Sequence, residues 1–208
     1  LTDVAANPTA IVDGDHDGGH GHVTSTGISN EKLAMWAFLG SECLLFGGLI
    51  STFMLYKNRA AGGETPHELY DLAFTSISSF VLLMSSLTMV LAVSAIARGD
   101  HRALRTWLLT TALMGAVFLS GQVYEFTEFV NEGYGFTHSP AWSALYALTG
   151  LHGVHVALGI VMLLSALVLS LRGYLPRERA EAVEIVGLYW HFVDVIWIII
   201  FTVVYLVP

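Results

Sequence analysis

The stretch that decides the fold is Tyr189–Leu206, YWHFVDVIWIIIFTVVYL. As a helix it is long and apolar enough to cross a bilayer, for which about 20 residues suffice. Yet it carries His191 and Asp194, one helical turn apart and so on one face. Burying such a pair in hydrocarbon is expensive unless protein groups meet it. That face is therefore expected to look at other helices, which the rest of the chain must supply.

Four more apolar runs lie upstream. Residues 33–56 are interrupted only by Glu42, and residues 72–97 carry no charge. Residues 106–124 are closed by Glu125, and residues 141–171 contain His152 and His155. The terminal run, taken to its limits, covers 185–207. Each is near or above the length that spans the hydrocarbon core. Trp36, Tyr56, Trp107, Tyr124, Trp142, Tyr189, Trp190 and Tyr205 sit near run ends, as an interfacial aromatic belt requires. The expected fold is an all-α integral membrane bundle of five transmembrane helices, one domain over residues 32–208.

Composition agrees. The chain is 54% hydrophobic and 12% charged, against about a quarter charged in soluble domains; mean hydropathy is +0.63. The net charge of −8 lies mostly outside the apolar runs, and no basic patch suits nucleic acid. The single Cys43 falls inside an apolar run, so a disulfide framework is not expected.

Residues 1–31 form a polar arm that includes DGDHDGGHGH, Asp13 to His22. His16, His20 and His22 could bind a metal, but the Gly and Asp content reads as a disordered, solvated arm. With neither a basic start nor an apolar stretch, it does not read as a signal peptide. Basic residues set the orientation. Lys32, Arg98, Arg102, Arg105, Arg172, Arg177 and Arg179 gather on the side of the N-terminus, and only Lys57 and Arg59 lie opposite. The expectation is a cytoplasmic N-terminus and arm, with the C-terminus outside. The acidic loop EFTEFVNEGYGFTHSP, which begins at Glu125, then falls outside as well.

Glu42, His152, His155 and Asp194 lie near the middle of their runs, hence at similar depth on three helices, which suggests a shared polar cluster. Glu125, with Gln122 one turn earlier, reads as interfacial. Three readings compete. A di-metal centre in a bundle uses paired Glu-x-x-His motifs, and the chain has HGVH without one. A proton relay is the default for intramembrane ionisable residues, but it needs polar groups strung through the full thickness. A structural core of mutually hydrogen-bonded groups fits best. Gly47, Gly48, Gly150, Gly153, Gly159, Ser78, Ser79, Ser85 and Ser86 are small residues suited to close helix packing.

Four motifs, SECLLFGGL around Glu42, GQVYEF, ALTGLHGVHVALG and the terminal YWHFVDVIWIIIFTVVYL, together resemble subunit III of haem–copper respiratory oxidases. The resemblance covers roughly residues 33–207 and is nearest to the short five-helix bacterial form of the cytochrome c oxidase subunit 3 family. It implies a bacterial plasma-membrane protein without haem, copper or other metal of its own. The redox centres would lie in subunits I and II, which reduce dioxygen to water and pump protons. Subunit III would pack beside subunit I, hold phospholipid and support proton uptake. Glu42 would match the family's carbodiimide-reactive carboxylate, and Glu125 the carboxylate after the third helix. His152, His155, His191 and Asp194 would match motif positions of the last two helices. No residue of the chain would be catalytic. The same subunit occurs with cytochrome c and with quinol as donor; family abundance leans to cytochrome c.

Overall fold

A computed structural model describes residues 29–57, 72–176 and 179–207. His16, His20, His22, Arg59 and Arg177 lie outside the described residues. The described residues form five helices: α1 (Asn30–Lys57), α2 (Leu72–Ala97), α3 (His101–Asn131), α4 (Pro140–Leu171) and α5 (Ala180–Phe201). A π-helical turn, Thr202–Leu206, extends α5. All five are long and apolar enough to cross a membrane.

Capping chemistry, rather than hydropathy, sets the helix ends, so several reach beyond their apolar runs. Asp100 accepts hydrogen bonds from the backbone N–H groups of Arg102 (3.1 Å) and Ala103 (3.0 Å). These satisfy orphan donors and start α3 five residues ahead of Thr106. Ser139 caps α4 in the same way through Trp142 N, with Pro140 at the first helical position. At the far ends of α3 and α4, Gly133 (φ +94°) and Gly173 (φ +77°) take the left-handed conformation. Each lets the next residue bond back five positions, Tyr134 to Phe129 O and Tyr174 to Leu169 O, which closes the helix in a Schellman turn.

The α2–α3 pair has the most extensive interface; α4 packs on α3, α5 on α2 and α4, and α1 on α4 and α5. Helix α5 is the most enclosed and α1 the least. On α1 the buried positions Leu39, Phe46 and Phe53 recur every seven residues, a narrow seam of the coiled-coil kind. Its other faces are apolar and exposed, Leu44 by 80%.

Two tryptophans seat α5. The Trp190 indole lies in a slot that two glycines leave open. A Cβ at Gly115 of α3 would fall 2.5 Å from its ring, and one at Gly159 of α4 would fall 2.7 Å from it. Its Nε1 donates to Ser85 Oγ at 2.9 Å. Seven residues on, Trp197 Nε1 donates to Ser79 Oγ at 2.8 Å. Each serine turns a close α2–α5 approach into a satisfied indole N–H. The other packing candidates differ. A Cβ at Gly153 would make only ordinary contact with Leu119, and Gly47, Gly48 and Gly150 face open space.

Candidate functional site

Helices α1 and α4 bring Glu42 and His155 together, with Oε2 and Nε2 3.1 Å apart. Their side chains are 13% and 10% exposed. The other ring nitrogen, Nδ1, faces Leu151 O at 2.9 Å. A carbonyl can only accept, so Nδ1 carries a hydrogen. The Glu42 contact then holds a single further proton, shared between a carboxylic acid facing neutral imidazole and a carboxylate facing imidazolium. Either form is neutral as a pair, and losing that proton would set two lone pairs against each other. Phe46 packs edge-on against His155, with centroids 5.1 Å apart, and Tyr189 OH donates to His155 O at 3.1 Å. The pair is thereby walled by α5 as well.

His152, one turn earlier, has different surroundings. It is fully buried and stacks on Trp197, with centroids 5.0 Å apart and planes at 25°. Phe118 and Phe46 meet it edge-on at 6.0 and 6.5 Å. Neither ring nitrogen has a hydrogen-bond partner among the described residues.

His191 and Asp194 also part company. His191 Nδ1 pairs with Ser86 Oγ of α2 at 2.6 Å. Asp194 is 3% exposed, and neither of its carboxylate oxygens is hydrogen-bonded among the described residues. Ser86 lies close to it but outside hydrogen-bonding geometry, its hydroxyl engaged by His191. Of the four mid-helix ionisable residues, the structure thus joins one pair and places the others in separate environments.

Glu125 is buried within the bundle, 6% exposed. It accepts from Thr75 Oγ1 at 3.1 Å, from Tyr205 OH at 3.2 Å to both oxygens, and from Gln122 Nε2 at 3.4 Å. It therefore ties α2, α3 and the π turn together. Sequence reasoning had no signal for Tyr205 beyond its place near a helix end. Lys57 was missed as well, having been counted only as a charge. It is 5% exposed, and its ammonium bonds the carbonyls of Val203 (3.3 Å) and Val207. A lysine against the last carbonyls of a helix meets the negative end of the dipole. The π turn is thus held by α1 on one side and α3 on the other.

At the opposite end Lys32 reaches Glu184 at 2.7 Å and Glu181 at 3.9 Å, and Ser29 bonds Glu181. Arg105 donates to Ser170 O at 2.7 Å, fixing the start of α3 to the end of α4. Among the described residues, no three His, Cys, Asp or Glu side chains converge to hold a metal ion.

A family model described as cytochrome c oxidase subunit III matches residues 7–207. The chain belongs to the cytochrome c oxidase subunit III family. It is 42% identical over 175 residues to quinol oxidase subunit 3 of Bacillus subtilis (strain 168), covering 84% of this chain and 85% of the relative. It is 40% identical over 177 residues to cytochrome c oxidase subunit 3 of Bacillus sp. (strain PS3), covering 85% and 86%. A second Bacillus subtilis relative, cytochrome c oxidase subunit 3, is 39% identical over 178 residues, covering 85% and 86%. Five membrane-spanning helices and these relatives make the chain a multi-pass protein of the bacterial plasma membrane. In this subunit III, then, the α1–α4 contact is a Glu–His pair, and α5 is keyed by tryptophans.

Proposed function

We propose that the chain is an accessory subunit of a proton-translocating terminal oxidase, docking beside subunits I and II, where the haem and copper reside. In this reading it buttresses subunit I, holds phospholipid at its exposed faces and steadies proton uptake. The observation that carries it is membership of the subunit III family over nearly the whole chain. Within that frame, the neutral Glu42–His155 pair is a proton-holding joint between α1 and α4.

Orientation is part of the proposal. Lys32, Arg98, Arg102, Arg105, Arg172 and Arg179 cluster at the ends where α1, α3 and α5 begin and where α2 and α4 stop. That end and the arm of residues 1–31 are assigned to the cytoplasm, with the bundle proper over 32–208.

For the donor, the identities favour quinol over the cytochrome c expected from abundance, because the quinol-oxidase relative at 42% exceeds the cytochrome c relatives at 40% and 39%. Sequencing the subunit II that co-purifies with the chain decides the donor; a dinuclear-copper motif there would return the assignment to cytochrome c.

The test of the accessory role is Glu42→Gln in the assembled oxidase. Haem absorbance of the complex is expected to be unchanged. The number of protons moved per electron, or the number of turnovers before inactivation, is expected to fall. Loss of haem in that variant would place redox chemistry in this chain and overturn the reading.

A further inference from the structure

Between α1, α2 and α5 lies a cleft of about 490 Å³. Its walls are Trp36, Val90, Val93, Ala97 and Leu188, and Gly187, close-packed on Met89 and Val93 of α2, forms part of its floor. Lys32 and Glu184 stand at one end, and His191 lines the cleft seven residues further along α5, about 10 Å deeper by helical rise. We propose that this cleft binds the ring of an isoprenoid quinone or quinol, with His191 Nε2 as the hydrogen-bonding anchor.

Three observations choose that ligand class. The first is charge. Lys32 is matched by Glu184 and Glu181, and Arg98 holds Ser94 Oγ at the rim. Two basic and two acidic side chains leave the entrance neutral, which gives an anionic lipid phosphate no net attraction. The second is depth. A phospholipid keeps its polar head at the interface, whereas His191 offers a polar group well inside an apolar slot, where only a head that enters the slot can use it. A quinone ring is neutral, flat and apolar, and carries oxygens that accept or donate. The Trp36 indole and the apolar side chains of Val90, Val93 and Leu188 suit such a ring.

The third is the anchor itself. His191 Nδ1 is fixed on Ser86 at 2.6 Å, while Nε2 has no protein partner among the described residues. A serine hydroxyl can donate to Nδ1 or accept from it. When Ser86 donates, Nε2 carries the hydrogen and can donate to a quinone carbonyl. When Ser86 accepts, Nε2 is a lone pair and can receive a quinol O–H. The Ser86–His191 pair can therefore meet both oxidation states by changing tautomer, with no change of charge. Binding alone is proposed, without an electron-transfer step, and the site does not depend on which donor feeds the complex.

The experiment uses the purified oxidase complex and a ubiquinone analogue bearing an azide on its ring, photolysed and mapped by peptide mass spectrometry. Labelling is expected on this chain near Trp36 or His191. Decylubiquinone should abolish it, and an equal concentration of phosphatidylethanolamine should not. His191→Leu should weaken decylubiquinone binding about tenfold, the loss expected for one hydrogen bond. Val90→Trp, at a position that is half exposed and tolerant of size, should block the cleft and remove the label. Labels confined to other subunits, equal displacement by phospholipid, or wild-type labelling in Val90→Trp would each overturn the proposal. If His191→Leu does not assemble, Val90→Trp decides alone. A complex shown to take electrons from cytochrome c would end the quinol-donor reading and leave this test standing.

Discussion

Glu42 and His155 share one proton across the α1–α4 seam, and this ranks the substitutions at position 42. Glutamine keeps a donor that can face Nε2, since Nδ1 remains committed to Leu151 O. Leucine leaves Nε2 with nothing, and an orphaned buried acceptor costs about 1–3 kcal/mol. Thermal unfolding of the assembled complex should therefore place Glu42→Leu well below Glu42→Gln. The double variant Glu42→Leu/His155→Phe should recover part of the loss, because neither partner is then left polar and alone. Additive losses in that cycle would mean that the 3.1 Å contact contributes nothing. At this scale the sequence was legible in depth and blind in azimuth. Hydropathy put Glu42, His152, His155 and Asp194 near mid-membrane, but which side each faces depends on how the helices are rotated. His152 and His155 are three residues apart, yet one stacks on Trp197 and the other bonds Glu42. No count along the chain separates those fates.

Helix α5 is fixed in rotation by Trp190, wedged between Gly115 of α3 and Gly159 of α4. An alanine at either glycine puts a methyl group 2.5 or 2.7 Å from a fully buried indole, which must shift. Overpacking of this kind costs about 1–3 kcal/mol. Gly150→Ala meets nothing within 4 Å and should be neutral or stabilising by up to about 1 kcal/mol through helix propensity. Melting temperatures of the three alanine variants in the complex test the slot. The slot would be refuted if Gly150→Ala proved as damaging as Gly159→Ala. The sequence showed that small residues were present on α4, and their glycine-rich run suggested close packing. It could not show that only Gly159 of the three meets the tryptophan, because the partner ring comes from another helix. The ends of α5 were harder to read. Its first two turns carry Glu181 and Glu184 for Lys32, so an apolar window starts too late. Its last turn widens to a π geometry where Lys57 and Tyr205 hold it, a tertiary effect with no local signature.

Across the whole molecule, the two ends of the bundle differ in chemistry. One holds the exposed arginines, the Lys32–Glu184 ion pair and the Arg105 clasp on Ser170. The other holds Lys57 buried against the end of α5 and Glu125 buried under Tyr205. Lys57 is thus consumed by the fold, and a charge buried against helix carbonyls is not free to hold a loop on the cytoplasmic side. Among the described residues, the six basic side chains of the other end are then left to set topology, and the orientation proposed above puts that end in the cytoplasm. A reporter fused after Pro208 tests this directly. Alkaline phosphatase, active only outside, should be active there, and green fluorescent protein, which matures inside, should be dark. Lys57→Met should leave both signals unchanged while lowering the stability of the complex, because it removes a dipole contact and no topogenic charge. Bright fluorescence from the C-terminal fusion would invert the bundle, and a flip caused by Lys57→Met would show that Lys57 acts on topology after all.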